Sequence, residues 1–112
     1  MSSREEAAAA MQRALLECAG PGAAGQLAQA QARLAWAEIV DEAGLNREPL
    51  HSRLVRVAAG TAHVEASDPI LAQELTLRGE ALVWALNRRM QGRPGATISV
   101  TRVAVSVGRE RG

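Results

Sequence analysis

The chain has 112 residues, 47% of them apolar and 22% charged. That suits one compact domain and argues against both a disordered polyelectrolyte and a membrane protein. The net charge of +1 hides a split: residues 1–50 carry four arginines against seven acids, or −3, while residues 51–112 carry nine against five, or +4. No apolar run approaches the ~20 residues that span a bilayer, and the N-terminus, with Arg4, Glu5 and Glu6, has no signal-peptide pattern, so a cytoplasmic protein is expected. Cys18 is the single cysteine, and with only His51 and His63 beside it there is neither an internal disulfide nor a four-ligand zinc set. No metal and no cofactor are expected.

In chain order, Ser3 and Glu6 have capping-box spacing, and Met11, Leu15 and Cys18 recur at helical intervals, predicting a helix over 4–18. Gly20, Pro21 and Gly22 should end it. A second helix is predicted over 24–42, with Leu27 and Leu34 on one face and Trp36, Ile39 and Val40 round the other, so that it contacts two surfaces. After a loop over 44–49, the stretches 53–59 and 62–67 flank Gly60-Thr61 and predict a β-hairpin with glycine first in its turn.

Asp68-Pro69 reads as an N-cap followed by proline at the first helical position of a long third helix. Leu71, Leu75, Leu82 and Leu86 form one stripe of it, and Ile70, Leu77 and Trp84 a second. Residues 96–107 are the most strand-like stretch. Ile98 and Val100 share one parity and Val103, Val105 and Val107 the other, which predicts a β-bulge near Thr101 or Arg102. A right-handed crossover through the long helix would lay this strand beside the hairpin. The expected domain spans 1–112, with an N-terminal helix and turn (1–23), a core (24–107) and a short tail (108–112).

The run from Leu34 to Val40 (L-A-W-A-E-I-V), then Leu54, Val55 and Val57 of the hairpin, then Ser67 to Leu75 (S-D-P-I-L-A-Q-E-L) and Leu86-Asn87, resembles the DciA family of bacterial proteins. Members bind the DnaB-type hexameric replicative helicase and assist its loading onto single-stranded DNA. The resemblance covers roughly residues 27–107. It implies a KH-like α+β fold, and with the elements above the expected order is α-α-β-β-α-β, a three-stranded sheet packed on helices. The chain departs from the family pattern at Asp41, where members usually carry glycine, at Leu71, where tryptophan is frequent, and in having only residues 108–112 beyond the last strand.

Two classes of site residue follow. All thirteen basic residues are arginine, either through coding bias or because the planar guanidinium suits phosphates and bases. Arg53, Arg56, Arg88, Arg89, Arg93 and Arg102 are the candidate nucleic-acid contacts. Arg88, Arg89 and Arg93 are the densest cluster, and they equally suit a helix C-terminus. Arg53 and Arg56, three apart, point to opposite faces of a regular strand. Trp36 and Trp84 are candidate partner anchors, with core packing as the competing assignment. Gly92-Arg93-Pro94-Gly95 has the G-x-x-G spacing of a KH clamp, but it joins the long helix to the last strand and contains proline, so it reads as a turn.

No P-loop or nucleophile-elbow motif occurs, so no enzymatic activity is expected and any loading role must rest on binding energy alone. The expected partners are the replicative helicase and single-stranded DNA, with no membrane. An exposed tryptophan stripe would also permit a homodimer. The alternatives are a KH-like module that binds single-stranded RNA or DNA without a helicase partner, and a purely protein-binding adaptor.

Overall fold

The computed structural model describes residues 21–108; the predicted helix over 4–18 and Cys18 lie outside the described residues. The elements are α1 (Pro21–Glu42), the hairpin strands β1 (Ser52–Ala58) and β2 (Thr61–Ala66), α2 (Pro69–Leu77), α3 (Gly79–Met90) and β3 (Arg102–Val107). The described order is therefore α-β-β-α-α-β, which corrects the KH-like order α-α-β-β-α-β expected from the sequence. The described residues form an α+β domain, a three-stranded mixed sheet packed against three helices.

The correction has a local cause. The single long helix expected after Asp68 is two helices, parted at Arg78, whose φ of −96° and ψ of 14° are not helical. The break redirects the chain, so that α2 covers β2 and β3 while α3 covers β3 and also reaches α1. Leu71 and Leu75 of α2 and Leu82, Leu86 and Met90 of α3 are all buried. Gly79 was the one local sign of the break, because glycine is a poor helix interior residue. Asp68 caps α2 as expected: its carboxylate accepts from the Leu71 amide at 2.9 Å, and Pro69 follows at the first helical position. Pro21, expected to end a helix, begins α1, where its missing amide is no loss.

The sheet order is β1-β2-β3, with β1 antiparallel to β2 and β2 parallel to β3. The hairpin turns on Ala59 and Gly60, at φ of 50° and 79°, one residue earlier than expected. Two consecutive left-handed residues match the right-handed twist of the flanking strands. The expected bulge lies elsewhere. The β2–β3 register runs unshifted, whereas β1 shifts between Leu54 and Arg56. Residues 96–101 are not strand, and the amides of Thr101 and Arg102 both donate to the Gly60 carbonyl, at 2.7 and 3.3 Å, so the change of valine phase is absorbed before β3 begins.

Alternation sends Ala62, Val64 and Ala66 inward, where they meet Trp36, Val40, Leu54, Leu75, Leu86 and Met90 in one core. Trp36 is fully buried and its indole Nε1 donates to Ser52 Oγ at 3.1 Å, tying α1 to β1. Two side-chain amides clamp backbone that the sheet leaves unpaired. Gln29 donates to the Val57 carbonyl and accepts from its amide, both at 2.8 Å. Asn87 does the same for Val100, at 2.7 and 2.9 Å. The α1 helix was expected to contact two surfaces, yet only its Trp36, Ile39 and Val40 side is buried; Leu34 is 55% exposed.

Candidate functional site

The arginines proposed from sequence separate into three environments. Arg89 and Arg93 stand four apart on α3 and just beyond it, facing Glu38 and Glu42, four apart on α1. Arg89 donates to Glu38 at 2.8 Å and to both oxygens of Glu42 at 2.6 Å. Arg93 bonds the other oxygen of Glu38, and also Gln31 Oε1 at 3.2 Å. The hydrogen bond from Arg93, then that from Arg89, holds the Glu38 carboxyl below its ordinary value of 4.5. Glu42 first and Glu38 second keep Arg89 more firmly protonated. These two arginines join α3 to α1, and their charge is answered on the spot. Arg93 is thereby drawn inward from the Gly92–Gly95 turn; its Nε is buried without a partner among the described residues.

The second environment is the outer side of the helical layer. Arg88 lies over the indole of Trp84, 5.2 Å from the ring centroid, in cation–π contact. Trp84 is 64% exposed, and Ile70 and Leu77 of the same sequence stripe are each 75% exposed. Beside Trp84, a shallow groove of about 630 Å³ runs between α3 and α1, floored by Ile39, Ala43 and Ala85. Trp36, the other candidate anchor, is inside the core and presents nothing to a partner.

The third environment is the open face of the sheet. Arg53 and Arg56 would point to opposite faces of a regular strand, but the register shift between Leu54 and Arg56 leaves both exposed on the side away from the helices. Strand pairing extends that face across the sheet. Arg53 is opposite Glu65, which is opposite Ser106; Arg56 is opposite His63, which is opposite Ala104; and Thr61 is opposite Arg102. Arg53 is bonded to Glu65 at 2.9 Å, whereas no ion pair engages Arg56 or Arg102 among the described residues.

Sequence reasoning missed Glu38, Glu42 and His63. The acidic pair had a readable signal: two carboxylates at i, i+4 on one helix matching two arginines at i, i+4 near the end of another. His63 stands beside Arg56 only through strand pairing. Among the described residues, no three His, Cys, Asp or Glu side chains gather as a metal site, and no helix is long and apolar enough to cross a membrane. Compared with protein-family models, curated proteins and solved structures, the chain matches none.

Proposed function

We propose that this chain is a non-catalytic, cytoplasmic replication accessory protein that binds the DnaB-type replicative helicase and helps place that ring on single-stranded DNA. The resemblance to the DciA family supports the reading through residues that set the core, since Trp36, Ile39, Val40, Leu54, Leu71, Leu75 and Leu86 are all buried. The observation that carries it is a two-sided surface. A basic sheet face, with Arg56 and Arg102, lies on one side of the core, and an exposed aromatic patch, with Trp84 and Arg88, on the other. Such a module holds a polyanion and a protein at once. It acts by differential affinity, favouring the state of the ring that admits a strand while keeping the strand close.

The test is size-exclusion chromatography with light scattering on the full chain mixed with the replicative helicase of the same organism, without DNA. Co-elution as a defined complex, weakened by Trp84→Ala, is expected. Two separate peaks at micromolar concentration would overturn the helicase partner and favour a nucleic-acid module that works alone.

A further inference from the structure

We infer that single-stranded DNA is held on the open face of the sheet, with Arg56 and Arg102 as its phosphate contacts and Glu65 as a brake on a third, Arg53. The inference rests on the DNA-binding limb of the proposed function and assigns it a place.

The face is built by the pairing of three strands. Its outward positions form three rows: Ala58, Thr61 and Arg102; Arg56, His63 and Ala104; Arg53, Glu65 and Ser106. Three arginines stand against one carboxylate. Strand spacing and residue rise put the Cα atoms of Arg56 and Arg102 about 12 Å apart, on opposite edges of the sheet. Between them stand Thr61 and His63; on the other side of Arg56, toward the Arg53 row, the floor is low because Ala104 and Ser106 are small. A shallow depression of about 260 Å³ opens there, walled by Arg56, His63 and Glu65.

A flexible strand can lay sugar and base into that depression while one phosphate reaches Arg56 at its rim and another, further along the strand, reaches Arg102 one row away. A stiff duplex would touch the same patch with one phosphate ridge and leave the depression empty. Thr61, His63 and Ser106 add hydrogen-bonding groups. The face carries no Trp, Tyr or Phe, and the small imidazole of His63 is its one ring, so stacking contributes little and binding should be weak, sequence-tolerant and governed by charge. The Arg89–Arg93 cluster, richer in the sequence, offers less because Glu38 and Glu42 already occupy it.

The experiment is fluorescence anisotropy of a labelled oligothymidylate titrated with the full chain over a salt series. The Arg56→Gln/Arg102→Gln double variant should bind roughly tenfold or more weakly. Its plot of log affinity against log salt should be shallower by about 1.4, from two lost phosphate contacts at about 0.7 each. Arg47→Gln, which removes the same kind of charge from the exposed loop before β1, should leave binding near wild type. Glu65→Gln, by releasing Arg53, should tighten binding, a gain that misfolding cannot produce.

Unchanged affinity and slope in the double variant would overturn the site while leaving DNA binding, and the helicase complex, in place. No binding by the wild-type chain would overturn the site together with the DNA-binding limb of the function, whatever the helicase result. Equal affinity for a duplex, or for polyglutamate, would overturn the choice of a single strand as occupant.

Discussion

Two arginine-bearing regions of this molecule share a half of the sequence and differ in what the fold does with their charge. At the junction of α1 and α3, Arg89 and Arg93 meet Glu38 and Glu42 and become a strap between helices. On the open face of the sheet, no ion pair engages Arg56 or Arg102 among the described residues, and they keep their field. Density of charge along a chain therefore says little about potential at a surface. The negative balance of residues 1–50 and the positive balance of residues 51–112 partly cancel where α1 packs on α3, and what is left over sits on the sheet face, where Glu65 answers Arg53 alone among the described residues.

The comparison rests on one core, and the largest expected effect comes from removing it. Trp36→Ala deletes the side chain that ties α1 to β1 and should cost about 3–5 kcal/mol, read as a fall in urea midpoint. Both regions should fail together, since α1 carries Glu38 and β1 carries Arg56. A stable variant with a helical strap and no sheet would contradict the shared core.

Asn87→Ala strikes the sheet side selectively. It leaves the Val100 amide and carbonyl without their partner, at about 2 kcal/mol for two part-buried hydrogen bonds. Hydrogen exchange should speed up in residues 98–104 before it does in α1. Equal acceleration everywhere would mean that β3 is not separately anchored.

Ala59→Gly should sharpen the sheet side. Ala59 holds a left-handed φ of 50°, and relieving it should raise stability by about 1 kcal/mol. Gly60→Ala should do the reverse, because its φ is 79° and an added Cβ would lie 3.0 Å from Thr101 Oγ1. A thermal melt of each checks the pair; stabilisation by both would refute the turn geometry.

The smallest effect on stability belongs to the strap. Glu38 is 41% exposed as a side chain, so Glu38→Gln should change neutral-pH stability by under about 1 kcal/mol. Its folded pKa is lowered, so its contribution is present above the ordinary carboxylate value and fades as pH falls through the depressed folded value. The variant should lose less stability than wild type as pH drops below about 4.5. Glu38→Gln with Glu42→Gln should also strengthen oligonucleotide binding at low salt by releasing Arg89 and Arg93. No change in either measurement would show that the strap does not silence those arginines.

Much of the fold was legible residue by residue. Asp68-Pro69 marks the start of α2 because a carboxylate cap and a missing amide are both local facts. The β-branched runs on either side of Gly60 mark the hairpin. The break at Arg78 was hidden, since Leu71, Leu75, Leu82 and Leu86 keep helical spacing whether the helix is continuous or bent. The bulge was misplaced for a related reason: the valine phase change of 98–107 was visible, but whether a bulge or an irregular lead-in absorbs it depends on where β2 makes contact.

Sequence by itself determined the α+β class, the approximate extent of α1, β1 and β2, the capped start of α2 and the burial of the leucine stripe, because these follow from periodicity and backbone chemistry within a few residues. Only the tertiary structure decided the sites. Trp36 went inside and Trp84 outside; Arg89 and Arg93 were neutralised across 47 to 55 residues of chain; and one shifted residue in β1 brought Arg53 and Arg56 to the same face. Burial and pairing depend on which elements meet, and a charge acquires its meaning only from the neighbours that packing brings to it.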